Sequence, residues 1–252
     1  MFLKSYQITP TSFVTDIVTN DYRTAEVFRK YGIEYCCGGK WPLEMVCQAK
    51  DIDIKLLTEE LENATRTVQV PNSLPFNEWD IDFLADYIVH VHHHYLKKQL
   101  PEIKTLLLKF ADEHRKKYEY IADLEKTFLR LYNEMLPHLQ QEEEVIFPYI
   151  RQITHAFDSR ESYAWLLVKT LRKPVEEVMN HEHASVIRAA QKMRELTNDY
   201  TAPAQACVSH KVVFLKLKEL DNDLMQHMHL ENNILFPKAI ETFKKLQATM
   251  LN

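Results

Sequence analysis

Apolar residues recur with helical spacing in four long segments of the chain, which cover roughly residues 80–110, 115–152, 160–198 and 206–246. Within each segment they lie three or four positions apart, which is the period of an amphipathic α-helix. Each segment is long enough for a bundle helix, and the connections are short enough for antiparallel neighbours. We therefore predict an all-α protein whose larger part is an up-down four-helix bundle.

The residues before the bundle predict a small helical domain. A helix over residues 16–30 is expected to end at Gly32, and Pro42 suits the start of the next helix. Another helix is expected over residues 53–63. Prolines and serine then mark a linker, because they interrupt regular structure. The predicted division is a helical domain at 1–65, a linker at 66–78 and the bundle at 79–252.

Only three glycines occur among the 252 residues, at Gly32, Gly38 and Gly39, where average usage would give about 18. This scarcity disfavours β-hairpins, phosphate loops and dinucleotide-binding fingerprints. The net charge of −5 gives no electrostatic reason to expect nucleic acid or an anionic membrane as a partner. No apolar run predicts a membrane span and no signal peptide is evident. Four cysteines make a poor disulfide framework, so we expect a cytoplasmic protein.

A histidine–glutamate motif occurs twice, once in the second bundle helix and once in the fourth. His138 and Glu142 precede one Phe-Pro pair, and His227 and Glu231 precede the other, in the common pattern H-x-x-x-E-x-x-[VI]-[IL]-F-P. A four-residue step puts both side chains on one face. That face is apolar in both helices, with Phe128, Leu131, Met135 and Val145 in the second and Leu217, Leu220, Leu224 and Ile234 in the fourth. A carboxylate in an apolar core needs an ionic partner or a metal ion.

The other two helices each add one histidine to the inward faces. His93 lies on the apolar line of the first helix, although a slip of one residue would select His92 or His94 instead. His183 shares a face with Ile187 and other apolar residues of the third helix. His93 precedes His138 by 45 residues and His183 precedes His227 by 44, so the bundle resembles two copies of a helix pair.

Four histidines and two glutamates predict a pair of metal ions. Nitrogen and carboxylate ligands without thiolate favour iron or manganese over structural zinc, and Glu142 and Glu231 could bridge two ions. Metal availability then favours iron, with manganese second. Six protein ligands leave open positions for oxo, water or a diatomic gas. Glu134 and Glu182 lie close enough in sequence to act as proton relays or outer partners of the ligands. The other histidines are expected at the surface or an interface: His90, His92, His94, His114, His155, His181, His210 and His229.

Cys36 and Cys37 lie in a glycine-bounded loop before a helix start, where the pKa of a thiol is lowered. Neighbouring cysteines cannot easily form a relaxed disulfide with each other. Three roles remain for them: passing iron or sulfur, redox contact with a damaged partner, or electron delivery to the metal site. The alternative is two small buried apolar residues. Cys47 and Cys207 are expected to be inert.

Two features together resemble the bacterial iron-sulfur cluster repair family, the di-iron "repair of iron centres" proteins. One is the segment from Tyr31 to Lys40, which contains both cysteines, and the other is the hemerythrin-like bundle with its repeated motif. The resemblance covers nearly the whole chain. It implies iron ligands at the six positions that the inward faces also select: His93, His138, Glu142, His183, His227 and Glu231.

The resemblance further implies a cytoplasmic, stress-induced protein with a labile, μ-oxo and carboxylate-bridged di-iron centre. Its partners would be iron–sulfur proteins or scaffolds damaged by nitric oxide or oxidants, with nitric oxide or dioxygen as small ligands, and a homodimer is compatible with it. Oxygen-carrying hemerythrins fit less well, because their third helix has a second histidine where Ile187 stands and their fourth has aspartate in place of Glu231.

Three functions are therefore considered. The first is repair of iron–sulfur clusters with iron supplied from the centre. The second is reduction of nitric oxide to nitrous oxide at the same two irons, and the third is a gas or redox sensor. The client protein and the electron donor do not follow from the sequence.

Overall fold

The computed structural model describes residues 7–21, 23–33, 35, 41–65, 74–159 and 175–250, and it gives only the backbone of 175–181 and 249–250. Every regular element in these residues is helical, which confirms the predicted all-α class. The chain divides into two compact units. The first comprises residues 1–72 and 200–218, and the second comprises residues 73–199 and 219–252. No helix in the described ranges combines the length and apolar character needed to cross a bilayer.

The described residues of the segment 1–72 form four short helices in the first unit: α1 (Val14–Asn20), α2 (Thr24–Lys30), α3 (Leu43–Lys50) and α4 (Ile54–Thr65). The prediction of a single helix over 16–30 is wrong, because α1 ends at Asn20 and α2 begins only at Thr24. Asp21 is extended there, and its carboxylate accepts the backbone N–H of Arg23 at 3.1 Å. An aspartate that bonds the backbone two residues later forms a turn that competes with a helix.

Gly32 ends α2, as its position in the sequence predicts. It has a φ of +63°, in the left-handed region that favours glycine. Its N–H donates to the Arg29 carbonyl at 3.0 Å, and the Ile33 N–H donates to the Phe28 carbonyl at 2.8 Å. This pair of bonds is a Schellman motif. Phe28 and Ile33 both belong to the apolar core of the first unit, so the helix end also contributes to its packing.

The second unit is built from long helical rods, in which short π-helical segments join α-helices end to end. Helix α7 packs against α6 and α9, and α8 packs against α11. Among the described residues, the α-helices of these rods are α5 (Ile81–Tyr87), α6 (His94–His114), α7 (Tyr120–Gln141), α8 (Phe147–Asp158), α9 (Val175–Thr197), α10 (Val208–Leu230) and α11 (Phe236–Met250). The π-helical segments are Ile88–His93, Glu142–Ile146 and Glu231–Leu235.

The rods agree with the four predicted segments, which confirms the helical bundle. They run over residues 81–114, 120–158, 175–197 and 208–250. The start of the third predicted segment, residues 160–174, lies outside the described residues. The first residues of α10 belong to the first unit and its remainder to the second.

Two of the π-helical segments follow from the repeated Phe-Pro motif. The N–H of Phe147 donates to the carbonyl of Glu142, and the N–H of Phe236 donates to that of Glu231, in each case five residues back. The next residue is proline, which has no N–H to offer to the ladder. A π-helical turn holds one residue more than an α-helical turn, so the phase of the following side chains changes.

Because of this change of phase, the prediction that Val145 faces inward is wrong. Val145 is 57% exposed, whereas its neighbour Ile146 is 5% exposed and packs into an apolar cluster with Phe147 and Ile150. Ile187 on α9 is also misplaced by the sequence pattern, since it is 40% exposed. The buried residues that follow His183 on α9 lie on the other side of its face, at Val186, Ala190 and Met193.

Candidate metal centre

The six inward residues selected from the sequence come together in the second unit. All six side chains are between 0% and 3% exposed. Their ligand atoms form two groups of four that share both glutamates: His93, His227, Glu142 and Glu231 in the first group, and His138, His183, Glu142 and Glu231 in the second group. Within each group these atoms lie within 4.8 Å of one another.

The π-helical segments place three of these residues. Glu142 and Glu231 are the first residues of two segments, each directly after the α-helix that carries its histidine partner. His93 is the last residue of a third segment, Ile88–His93. Irregular π turns within long helices occur frequently at functional sites, because they re-aim side chains.

Both shared glutamates are fully buried, and none of their four carboxylate oxygens has a hydrogen-bond donor among the residues that the structure describes. The shortest approaches come from imidazoles: His227 Nε2 lies 3.0 Å from Glu231 Oε1, and His138 Nε2 lies 3.2 Å from Glu142 Oε1. A buried carboxylate without a donor or a cation is strongly unfavourable. The four oxygens therefore require positive charge among them.

The imidazole nitrogens face one another in pairs. His93 Nε2 lies 3.0 Å from His227 Nε2, and His138 Nε2 lies 3.1 Å from His183 Nε2. Two lone pairs at this distance repel unless a proton or a cation lies between them. Two nitrogens bound at right angles to one ion, with bonds of about 2.1 Å, lie about 3.0 Å apart. The spacing within each pair thus fits one metal ion per group.

Without metal, the charges of this cluster are tightly coupled. Burial lowers the pKa of the His227 imidazole to about 3. Burial also disfavours the charged form of His138, but Glu142 and other nearby carboxylates outweigh it and raise its pKa to about 9. Burial would raise the pKa of Glu142, yet the surrounding imidazoles hold it well below the ordinary value. A histidine nitrogen holds a metal ion only when it is deprotonated, so metal binding would compete with protonation of His138.

Three of the four histidines have a hydrogen-bond partner on the outer nitrogen, Nδ1. Their partners are acceptor side chains on neighbouring turns or helices. The contacts are His93 Nδ1 to Glu143 Oε1 at 2.8 Å, His138 Nδ1 to Glu182 Oε2 at 2.7 Å, and His183 Nδ1 to Asn232 Oδ1 at 2.8 Å. When Nδ1 donates a proton outward, Nε2 is left as an acceptor directed at the centre.

The two glutamates expected beside the ligands have different surroundings. Glu182 contacts His138, and its side chain is 38% exposed, so it lies between the cluster and solvent. Glu134 lies one turn before His138 on α7 and accepts from Arg130 Nε and Ser185 Oγ, each at 2.8 Å. Arg130 and Ser185 hold the Glu134 carboxylate, whereas Glu182 touches a cluster residue directly.

The two vicinal cysteines, Cys36 and Cys37, lie outside the described residues. Of the other two cysteines, Cys47 is buried in the first unit, and burial raises the pKa of its thiol. A raised thiol pKa disfavours the reactive thiolate.

Two histidines expected at the surface or an interface are buried within the chain instead. His92 is 2% exposed because its Nδ1 lies 2.9 Å from Asp223 Oδ1 and its ring packs against Tyr87. His210 is fully buried in the first unit, where its ring lies edge-on to Phe214 at 4.4 Å between centroids. The prediction for His92 failed because its partner Asp223 comes from another helix, which the local sequence does not show. The prediction for His210 failed because its partner Phe214 lies on the same apolar face of its own helix.

The sequence reasoning also missed Glu143 and Asn232 as partners of the ligands. Each directly follows one of the shared glutamates, Glu142 or Glu231. In a regular α-helix that position points about 100° away from the ligand face. A side chain at that position can still reach a histidine on the adjacent helix. The polar residue directly after each glutamate was therefore the available sign of a hydrogen-bond partner for a histidine.

Comparisons with known proteins give the same assignment over most of the chain. Residues 84–239 match the model of the hemerythrin HHE cation binding domain, and residues 11–65 match ScdA_N, described as a domain of unknown function. The second match includes the vicinal cysteines. These matches confirm the resemblance carried by the cysteine segment and by the two histidine–glutamate motifs.

Three curated relatives are similar to this chain over most of their length. A probable iron-sulfur cluster repair protein of Haemophilus influenzae is 31% identical over 219 residues, which are 85% of this chain and 90% of the relative. The iron-sulfur cluster repair protein YtfE of Pectobacterium atrosepticum is 31% identical over 86% of this chain and 91% of its own. ScdA of Staphylococcus epidermidis, also an iron-sulfur cluster repair protein, is 28% identical over 92% and 99%.

Proposed function

We propose that this chain restores damaged iron–sulfur clusters with iron held between its helices. The proposal proceeds from its family, because the chain belongs to the hemerythrin HHE family and to the family of iron-sulfur cluster repair proteins. The observation that carries the proposal is a pair of buried glutamates whose four oxygens have no donor among the described residues. Each glutamate is shared by both histidine pairs. A hemerythrin-like domain with such a cluster indicates a di-iron site. Iron is then the cargo, and the bundle is its store.

The ligand set supports iron over manganese for this role. Imidazole suits iron as well as zinc and copper, whereas carboxylate alone would favour harder ions such as manganese and magnesium. Each group offers two imidazoles and two carboxylates, and both Glu142 and Glu231 would bridge the ions, since each belongs to both groups. Four protein ligands leave part of an octahedron open to water or to a diatomic molecule such as nitric oxide or dioxygen.

The side chains around the ligands would control protonation and therefore release. A histidine must be deprotonated at Nε2 to hold a metal ion and is released when that atom is protonated. Glu182 accepts from His138 Nδ1 and is partly exposed, so it can pass a proton between solvent and that imidazole. Glu134, held by Arg130 and Ser185, would act only by fixing the position of α9 beside α7.

Cys36 and Cys37 complete the proposal as the groups that receive iron or engage the client. Thiolates are the usual ligands of iron–sulfur clusters, so a thiol pair can hold iron during transfer. The partner would be a protein whose cluster has lost iron or has reacted with nitric oxide.

An anaerobic transfer assay tests the proposal. The chain is loaded with two equivalents of iron(II) and mixed with an iron–sulfur dehydratase whose cluster has lost one iron to peroxide. We expect dehydratase activity to return as iron leaves the chain. His138→Ala combined with Glu231→Ala should bind no iron and give no recovery. His155→Ala is the matched control, because His155 is exposed and pairs with Asp82 away from the centre.

Two further measurements separate the alternatives. Replacing Cys36 and Cys37 by alanine should leave the iron content unchanged and slow the recovery, and an unchanged recovery rate would remove the thiols from the proposal. Repeated formation of nitrous oxide from nitric oxide, with both irons retained and no dehydratase recovery, would establish a reductase and overturn iron delivery.

A further inference from the structure

The two metal groups differ in how their histidines are held from outside. In the second group both imidazoles have an acceptor on Nδ1: Glu182 Oε2 lies 2.7 Å from His138, and Asn232 Oδ1 lies 2.8 Å from His183. The Glu182 carboxylate is partly exposed, at 38%. Both rings of this group are therefore fixed in orientation and in tautomer.

The first group is held less well. His93 Nδ1 contacts Glu143 at 2.8 Å, but the other oxygen of Glu143 accepts from Lys97 Nζ at 2.6 Å, which draws charge away from the imidazole. His227 is fully buried, and its Nδ1 has no hydrogen-bond partner among the described residues. Asp223, one turn earlier on α10, has its Oδ1 engaged by His92 Nδ1 at 2.9 Å, and its buried Oδ2 has no hydrogen-bond partner among the described residues, so Asp223 does not accept from His227.

An outer acceptor strengthens a metal-bound histidine in two ways. It fixes the ring so that Nε2 points at the ion, and it makes that nitrogen more basic. Removing such a partner typically costs about 10–100-fold in metal affinity. The unpartnered Nδ1 of His227 also leaves a buried N–H unsatisfied whenever Nε2 binds a metal ion.

We propose that the first group, with His93 and His227, binds its iron more weakly than the second and is the side from which iron leaves the centre. This inference rests on the proposed function, because it names which iron is delivered. The expected difference in affinity between the two groups is about 10–100-fold. The second group retains its iron after the first has been emptied.

Iron release from the full chain tests the inference without any client protein. The chain is loaded anaerobically with two equivalents of iron(II) and mixed with an excess of a chelator whose iron(II) complex is coloured, so that absorbance follows iron release. We expect two phases of one iron each, with rates that differ about 10–100-fold. Crystals of the chain containing one equivalent of iron should show anomalous scattering between His138 and His183. Release in a single phase, or a peak between His93 and His227, would overturn the inference.

Two neighbouring asparagines provide a matched pair of variants. Asn232→Ala removes the acceptor of His183, so the slow phase should accelerate by about tenfold or more and approach the fast one. Asn233→Ala removes an amide that contacts His229 Nδ1 on the solvent side, at 2.8 Å, and should keep both phases. An unchanged slow phase in folded Asn232→Ala would count against the proposed cause. The anomalous measurement on the unsubstituted chain decides the site even if this variant does not fold.

The outcome is separable from that of the proposed function. If the dehydratase does not recover but release is biphasic with iron retained at the second group, the asymmetry stands and delivery fails. If the dehydratase recovers while both irons leave in one phase, delivery stands and the asymmetry fails.

Discussion

Glu231 is a residue whose burial is unfavourable to the metal-free chain. Its side chain is fully buried, and neither oxygen has a hydrogen-bond donor in the described part of the chain. Burial, together with the charge of Glu142, raises its pKa from the ordinary 4.5 to about 7. We propose that Glu231 is retained as a metal ligand, because the fold alone would be more stable without it.

We therefore predict that Glu231→Met stabilises the metal-free protein. Replacing buried ionic groups by apolar ones of similar size often adds about 1–4 kcal/mol to the free energy of unfolding when no unpaired charge is left behind. That condition holds here, because burial lowers the pKa of the adjacent His227 to about 3 and keeps it neutral. Urea unfolding of the chelator-treated chain measures this change. With saturating iron(II) the order should reverse, because only the unsubstituted chain gains stability from the metal. Glu144→Gln, at an exposed site, should change the free energy of unfolding by less than about 0.5 kcal/mol.

The pH dependence of this difference follows from the raised pKa. The folded state favours the neutral form of Glu231, so the stability it contributes is present below pH 4.5 and is lost as the pH rises through 7. The advantage of Glu231→Met should therefore increase between about pH 5 and pH 8. A metal-free variant that is less stable than the unsubstituted chain at pH 8 would contradict this account.

At the scale of single residues, the sequence identified a site residue correctly where burying that residue type is energetically unfavourable. Glu142 and Glu231 stand out because a carboxylate on an apolar stripe needs compensation, and their spacing from His138 and His227 is local. His92 carries no such mark. Its burial depends on Asp223, which is 131 positions away in the chain, and only the packing of two helices brings them together.

The π-helical segments determine which side chains of each rod face inward. Regular α-helical periodicity locates the rods correctly, but it assigns the wrong side chains to the inward face after Glu142. The turn there is π-helical, because the Phe147 N–H donates to the Glu142 carbonyl. A proline directly after the segment, Pro148, is a visible cue to an irregular ladder. It does not state whether the chain kinks, tightens or widens, so Val145 was placed inward and Ile146 was not.

This assignment of phase can be tested with two adjacent truncations. Ile146→Ala removes a side chain that is 5% exposed within an apolar cluster, and we expect it to lower the free energy of unfolding by about 2–5 kcal/mol. Val145→Ala removes a side chain that is 57% exposed and should cost less than about 0.5 kcal/mol. Thermal or urea unfolding of the metal-free proteins gives both values. Equal effects, or the reverse order, would show that the turn at Glu142 is an ordinary α-helical one.

For the whole molecule, the six cluster residues join four rods that are far apart in sequence. His93 and Glu231 stand near the two ends of the second unit's sequence, and His138 and His183 stand between them. A metal ion that binds all four rods only in the folded state stabilises the unit as a whole. Among the described residues, none of the first unit belongs to either metal group. Metal binding should therefore act on one unit and leave the other nearly unchanged.

Hydrogen exchange measured by mass spectrometry tests this coupling. With free iron(II) at 100 times its dissociation constant, binding adds about 2.7 kcal/mol, so amides of α7 that exchange only on unfolding should slow by about 100-fold. Amides of α4 should change by less than about threefold. The measurement is repeated on a chain with Cys36→Ala and Cys37→Ala, which removes any iron bound by these thiols. If α4 slows as much as α7 in that variant as well, the two units unfold together, and the metal centre stabilises the entire chain rather than the bundle alone.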